Sequence, residues 1–212
     1  MARKEKHFVD GIEVPTVTQV LDLVGDKIGL QLWYGKHGIA ECQRVKRESA
    51  EFGTKVHGLV ESSLRGLPVT IDNDRAGDCA RLILQWVQET KLQPLHIEPE
   101  LSSREYLYVG HPDVIGRFGE DGPLFVLDWK TSNHIDDNYA LQIAAYAQAH
   151  YEMTGEKVER GGIVRVSKDP TKAKQFEVKE YTDLFGKYVP LFLSARKLYD
   201  FYRRKGDWKR VA

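Results

Sequence analysis

The chain has 212 residues, 42% of them hydrophobic and 29% charged, with 31 Lys and Arg balancing 31 Asp and Glu to a formal net charge of zero. That length suits one good-sized domain with its own core, the ordinary composition argues against long disordered or low-complexity stretches, and the zero balance excludes capture of a polyanion by the field of the whole molecule. A nucleic-acid partner would have to meet a local basic surface. Cys42 and Cys79 are too few for a four-thiolate site and form no C-x-x-C pair, so reduced thiols and no iron–sulfur cluster are expected. The opening "MARKEKHFVDG" has no apolar run behind it, and no stretch is long and apolar enough to span a bilayer, so a soluble cytoplasmic protein with no membrane partner is expected.

"HFVDGIEVP" sets Asp-Gly between apolar residues, a hairpin signal, after which Thr16 or Thr18 can cap a helix through "QVLDLV" ending near Gly25. A second helix is expected from Asp26 through "KIGLQLWYGKHGIAEC". A third, "RESAEFGTKVHGLVESSLRG", puts Ala50, Gly53, Val56, His57, Val60 and Leu64 on one stripe, shared by Glu61, and stops at Gly66. "DRAGDCARLILQWVQETK" reads as a fourth. The period then changes: "LHIEPELSS", "YLYVGHPDVIGRF" and "LFVLDWKTS" read as three successive strands. The helix "DDNYALQIAAYAQAHYEMTG" follows, with acids in its first turn and Gly155 past its end. Strands around "GGIVRVS" and "KQFEVKEY" precede a C-terminal helix over 182–205 that Pro190 should kink or restart. The order implies an α/β (α+β) fold on a central mixed sheet.

The turn "GEDG" makes the second and third strands an antiparallel hairpin; with Phe118 opposite Leu124, Asp113 comes opposite residues 128–130. Alternation projects Asp128 and Lys130 from one face and Leu127, Trp129 and Thr131 from the other. Facing carboxylates repel unless a cation sits between them. A hard divalent ion such as Mg²⁺ suits two acids and a main-chain carbonyl. Lys130 beside it would stabilise charge developing in the hydrolysis of a phosphodiester. Alternating Asp and Lys also make solvated strand faces, and an Asp after Pro also shapes turns, so the hairpin alone leaves both readings open.

"HPD" followed by "LDWKTS" resembles the motif of the PD-(D/E)XK nuclease superfamily, with Asp128 as its variable acid. "LQIAAYA", with Gln142 and Tyr146 in Q-x-x-x-Y spacing, and "GTKVH", with His57, resemble the RecB-like branch. The opening "VPTVTQVLD…LQLWYGKHG…FGTKVH" is similar to its stand-alone phage and bacterial exonucleases, relatives of the mitochondrial genome-maintenance exonuclease. The resemblance runs from about residue 12 to 166. It implies an αβββαβ restriction-endonuclease-like core within a single nuclease domain over 1–212, divided into an N-terminal helical part (16–90), a catalytic core (94–180) and the C-terminal helix (182–205). It implies Mg²⁺ or Mn²⁺ held by Asp113, Asp128, the Trp129 carbonyl and His57. Lys130 would position and polarise the nucleophile, Gln142 and Tyr146 would contact the substrate backbone or orient Lys130, and Glu100 would fill an additional acid position that Glu98 contests from the same face. Among helix-to-strand neighbours, Glu61 is expected to pair with a cation rather than to ligate.

No G-x-x-x-x-G-K-[ST] loop is present, so no nucleotide cofactor is expected, and any helicase or recombination partner would act in trans. The C-terminal "RKLYDFYRRKGDWKR", with Arg203 and Arg204, interleaves cations and aromatics as a single-strand track would, or as a helix end with inward-packed rings does. "SKDPTKAK", with Lys168, Lys172 and Lys174, is a second basic loop. The expected function is a metal-dependent deoxyribonuclease of a bacterial cell or phage-infected host, an exonuclease on single-stranded DNA or DNA ends in replication, recombination or repair. The alternatives are a structure-specific or restriction-type endonuclease, and a catalytically silent nucleic-acid-binding module.

Overall fold

Caps and turn residues set the element boundaries. The computed structural model describes residues 6–24 and 28–203. Strands β1 (His7–Val9) and β2 (Ile12–Val14) form the expected hairpin, with positive φ at Asp10 (49°) and Gly11 (79°) as a two-residue turn of the I′ kind requires. Helix α1 (Val17–Val24) is capped by Thr16 rather than Thr18. Thr16 Oγ1 accepts from Gln19 N at 3.1 Å, while Gln19 Oε1 accepts from Thr16 N at 3.2 Å, which is a reciprocal capping box. The expected boundary at Gly25 and Asp26 lies outside the described residues.

The second helix is shorter than expected: α2 (Ile28–His37) ends before Gly38, whose φ of 79° breaks the helical path, and Ile39 onward belongs to α3 (Ile39–Leu64). Val56 and Val60 of the expected stripe are buried, and Gly53, His57 and Leu64 are partly so, but Ala50 is exposed. With 26 residues, α3 outruns the 15-residue α4 (Arg75–Glu89) on which it packs, so its N-terminal half has less to cover it. The start of α4 is secured by Asp74, whose side chain accepts from Gly77 N at 2.8 Å.

Five strands replace the three expected: β3 (Leu92–Ile97), β4 (Leu101–Ser103), β5 (Tyr108–Gly110), β6 (Val114–Phe118) and β7 (Leu124–Lys130). Two proline-bearing breaks divide the runs. Glu98, with φ 48°, precedes Pro99 and ends β3, and Pro112 lies in the gap between β5 and β6. Helix α5 (Asn138–Thr154), β8 (Arg160–Val166) and β9 (Phe176–Tyr181) follow. The acids expected in the first turn of α5 stand before it, where Asp136 Oδ1 accepts from Asn138 N at 2.8 Å. Near Pro190 the last helix does restart: a π-helical turn (Leu184–Tyr188) leads into α6 (Val189–Arg203).

The central sheet runs β3-β6-β7-β8-β9, with β7 and β8 parallel and every other pair antiparallel. It is the mixed α/β architecture anticipated, with α4, β3, β6, β7, α5 and β8 in the expected order. Its faces carry separate apolar layers. Leu124, Val126 and Ile163 meet residues of α1, α5 and α6, while Leu127, Trp129, Val164 and Val166 meet α3 and α4. The hairpin register is one residue off the expectation, since Arg117 pairs with Leu124 and Val114 with Leu127. Asp113, just outside β6, therefore stands level with Asp128.

Gly110 is a packing requirement of this arrangement. A Cβ there would meet Tyr146 Cε1 at 2.5 Å and Val17 Cγ2 at 3.0 Å, both parts of the buried layer under α5. Gly58, in the interior of α3, faces open space. Gly110→Ala should therefore lower stability by roughly 1–3 kcal/mol through overpacking, whereas Gly58→Ala should raise it by up to about 1 kcal/mol. Urea titrations of the two variants against the parent measure both, and equal stability of all three would show that α5 can retreat from β5.

Candidate active site

The C-terminal end of β7 gathers most of the expected residues. Asp128 and Lys130 project toward α5, opposite Leu127 and Trp129, and the Lys130 ammonium makes an ion pair with Asp128 Oδ2. That ammonium is the partner of Asp128 Oδ2 in an otherwise buried position. The acid is 3% exposed. Asp113 uses both oxygens: Oδ2 accepts from Trp129 N at 2.6 Å, and Oδ1 lies 2.7 Å from His57 Nδ1, which reaches in from α3. The N–H and C=O of a strand residue point to the same side, so the Trp129 carbonyl also turns toward β6 and Asp113.

Helix α5 closes the opposite side. Gln142 Nε2 donates to Tyr146 OH at 2.7 Å, the two being one turn apart and buried. The phenol thus keeps its own O–H to donate. Tyr139, in the first turn of α5, sets its ring over Lys130, with Nζ 5.1 Å from the centroid.

Glu98, not Glu100, joins His57 and Asp113. The ligand atoms of these three residues lie within 4.8 Å of one another. The expectation that both glutamates share a strand face is corrected: the left-handed turn at Glu98 separates them, and Glu100 sits 3.8 Å from His111 Nε2 instead. Such a backbone conformation costs a non-glycine residue roughly 1–2 kcal/mol; Glu98 N–H donates to Asp113 O at 2.9 Å, which holds it there. Glu61 pairs with Arg65 at 2.8 Å, as expected of it.

Charge crowding leaves its mark on the acids. Burial, then the charge of Asp113, pushes the Asp128 carboxyl up to about 6 despite Lys130. Burial, then Glu61 and Asp113, raises Glu98. For His57 and Lys130, burial works against the charged form, but the neighbouring aspartates outweigh it and both move up. Burial and the charge of Asp128 raise Tyr146 well above the ordinary phenol range. His57, Glu98 and Asp113 lie within ligand reach of one another, and the buried Asp128 carboxylate stands level with Asp113, a donor set that fits a hard divalent cation. Asp113, Asp128, Glu98, His57 and the Trp129 carbonyl are the residues that could hold it.

The expected substrate-contact residues divide. The loop carrying Lys168, Lys172 and Lys174 lies beside the segment that follows Lys130. There Arg165, buried, donates to Ser132 O at 3.2 Å and to Lys174 O at 3.0 Å. Lys168 reaches Ser49 of α3, Lys174 pairs with Glu177 at 2.6 Å, and Lys172 is exposed. Arg203 stacks over Tyr199 at 5.1 Å, and Tyr199 packs inward, so this part of the C-terminal stretch has the character of a helix end rather than a row of free stacking faces. Arg204 and Trp208 lie outside the described residues.

Sequence reasoning missed Tyr139 and set Glu98 behind Glu100. The signals were present as an aromatic in the first turn of the helix that follows "DWKTS", and as a Glu-Pro step that ends a strand.

No protein-family model and no curated protein matches the chain. Among solved structures, a presumptive exonuclease of Eubacterium rectale is similar over 72% of this chain and 66% of its own, just under two thirds of its length, at 15% identity and a TM-score of 0.47. The alkaline exonuclease LHK-Exo of Laribacter hongkongensis is similar over 92% of this chain and 94% of its own at 14% identity and a TM-score of 0.43. Its complex with dAMP is similar over 93% and 95%, at 14% identity and a TM-score of 0.41. These names belong to those proteins.

The raised Asp128 carboxyl carries a stability consequence. A group whose folded value (about 6) exceeds its ordinary 3.8 binds more protons folded than unfolded between those values, so folding is favoured as pH falls through 6. With metal removed by chelator, wild-type protein should gain on the order of 1–3 kcal/mol relative to Asp128→Asn between pH 7.5 and about 4. Parallel denaturant titrations across that range measure it. A wild-type disadvantage that grows toward low pH would contradict the raising of this carboxyl by burial and by Asp113.

Proposed function

We propose that the chain is a metal-dependent deoxyribonuclease that hydrolyses phosphodiester bonds, acting as an exonuclease on single-stranded DNA or DNA ends. One observation carries this reading: two acids, the buried Asp128 and Asp113 level with it across the hairpin, are crowded together with Lys130, whose ammonium pairs with Asp128 on the same strand face. The resemblance of "HPD…LDWK…Q-x-x-x-Y" to the RecB-like nucleases supports the same reading from the sequence.

Asp113, Asp128 and Glu98, with His57 and the Trp129 carbonyl, would hold Mg²⁺ or Mn²⁺. When bound, the ion supplies Lewis-acid polarisation of a phosphoryl oxygen and neutralises charge between the acids. The protein's own groups do the rest. His57 and the Trp129 N–H hold the two Asp113 oxygens in place. Tyr139 stacks on Lys130 and keeps its ammonium at the mouth of the site, where it stabilises negative charge on phosphorus as water attacks in line and the bond to the 3′ oxygen breaks. The product is a 5′-phosphate. Gln142 fixes the Tyr146 hydroxyl, which can donate to a non-bridging oxygen or to the Asp128 carboxylate. Lys172, on the loop beside Ser132, would meet the strand's backbone.

End-labelled linear and circular single-stranded DNA, incubated with Mg²⁺, Mn²⁺ or EDTA, tests the proposal. Metal-dependent loss of the linear strand alone is expected, with Lys130→Ala reducing the rate by on the order of 10²–10³-fold while DNA binding and the far-UV spectrum persist. Cutting of the circle would indicate an endonuclease, and binding without cutting of either DNA would overturn the enzyme reading. On the same substrate, Lys172→Glu should weaken binding and lower the magnitude of the salt slope by about 1.

A further inference from the structure

We propose that His7, Glu100 and His111 form a second cation site, distinct from the Asp113–Asp128 centre and suited to a borderline divalent ion of the zinc class. The three ligand atoms lie within 4.8 Å of one another, and they come from three separate segments. The backbone sets up the convergence. In the β4–β5 ribbon Leu101 pairs with Gly110, so the next step of the register puts Glu100 opposite His111, with their ligand atoms Oε2 and Nε2 3.8 Å apart. β1 lies against β5 and brings the His7 ring to 6.0 Å from that of His111, centroid to centroid.

Neither contact satisfies its partners. At 3.8 Å the carboxylate and imidazole are beyond hydrogen-bond range, and no hydrogen bond joins any two of the three residues. Bonds of about 2.0–2.1 Å at a tetrahedral ion separate its ligands by about 3.3 Å, so 3.8 Å closes with a small rotation of the Glu100 side chain, which is 67% exposed. Two imidazoles and one carboxylate favour zinc-class ions over Mg²⁺, whereas the site at Asp128 is richer in carboxylate oxygen. The two centres thus sort ions by donor chemistry. Three protein ligands also leave a coordination position for water.

An ion there would tie the N-terminal hairpin to the segment that carries Asp113. The apolar contact of Val9 and Val14 with Val109, the Val109 N–H donating to Pro15 O at 3.1 Å and an exposed Arg104–Asp10 ion pair join them already. The proposal does not rest on the nuclease reading, because its readout is binding of the ion.

The test uses Zn²⁺ alone, titrated into full-length protein freed of metal by chelator, with a chromophoric chelator in competition. Wild-type protein should bind one more tight equivalent than His7→Ala or His7→Gln, and Zn²⁺ should raise the thermal midpoint of the wild type more than that of either variant. Both substitutions sit at a half-buried strand start, and a matching metal-free melt identifies a folded variant. Asp128→Asn should retain the His7-dependent equivalent. Equal stoichiometry and affinity in the wild type and both His7 variants, or loss of the His7-dependent equivalent in Asp128→Asn, would overturn the proposal.

Discussion

The carboxylate of Asp113 accepting the main-chain N–H of Trp129 at 2.6 Å is the contact on which the rest of this end of the sheet depends. Asp113 stands where the β5–β6 run breaks at Pro112, so its residue cannot continue the ladder as a β6 member, and its side chain takes over the pairing that a backbone carbonyl would otherwise make with β7. Its second oxygen fastens α3 through His57, and its carbonyl fastens the end of β3 through Glu98 N–H. Three elements from separate parts of the chain are thereby brought to one residue, two of them to its carboxyl group. Removing that group would also leave the Trp129 N–H buried and unsatisfied, at a cost of roughly 1–3 kcal/mol. The same acid is therefore part of the scaffold and part of the proposed metal site, whereas Asp128 pairs with Lys130, two residues on in its own strand.

Strand β7 can carry such an acid because its two faces differ in what they meet. Trp129 and Leu127 are 2% exposed and lie in the layer formed with α3 and α4. Burial of a large apolar side chain contributes roughly 1.5–3 kcal/mol, which anchors the strand against the unfavourable desolvation of Asp128 on the reverse face. Parallel pairing to β8 extends that anchoring: Asp128 and Lys130 lie opposite Ile163 and Arg165. Arg165, itself buried, bonds the carbonyls of Ser132 and Lys174. The chain just beyond Lys130 and the basic loop after β8 are thus held together by a buried cation, which is why the loop and the proposed site are neighbours.

Much of this was legible from alternation and turn residues alone. The period-2 reading of "LFVLDWK" put Asp128 and Lys130 on one face and Trp129 on the other, and the i, i+4 spacing of Gln142 and Tyr146 matched a bond that forms. What failed was local. The register came out one residue off at the turn, where Arg117 rather than Phe118 faces Leu124, and this still leaves Asp113 within the expected span, level with Asp128. Two proline steps divided what looked like continuous strands, and at Glu98 a left-handed residue preceding proline, a combination few non-glycine residues adopt, reversed which glutamate reaches His57. The break at Gly38 within "GKHGIAEC" was likewise invisible to propensity, since glycine is tolerated inside helices and only its φ of 79° distinguishes this one.

The segment Gly110–Asp113 shows how little chain is needed to impose several constraints at once. Gly110 must lack a side chain because Tyr146 occupies that space; His111 continues the β4–β5 register toward Glu100; Pro112 withholds an N–H and lies in the break between ribbon and sheet; and Asp113 is then free to turn its carboxylate onto β7. A regular strand would have sent His111 and Asp113 to the same face and left both competing for one cation. With the break between them, the imidazole joins the small ribbon and the carboxylate joins the central sheet, so one short stretch contributes to both proposed sites, which differ in donor character. The proximity of the two follows from covalent connection, and their chemical difference follows from which sheet each residue belongs to.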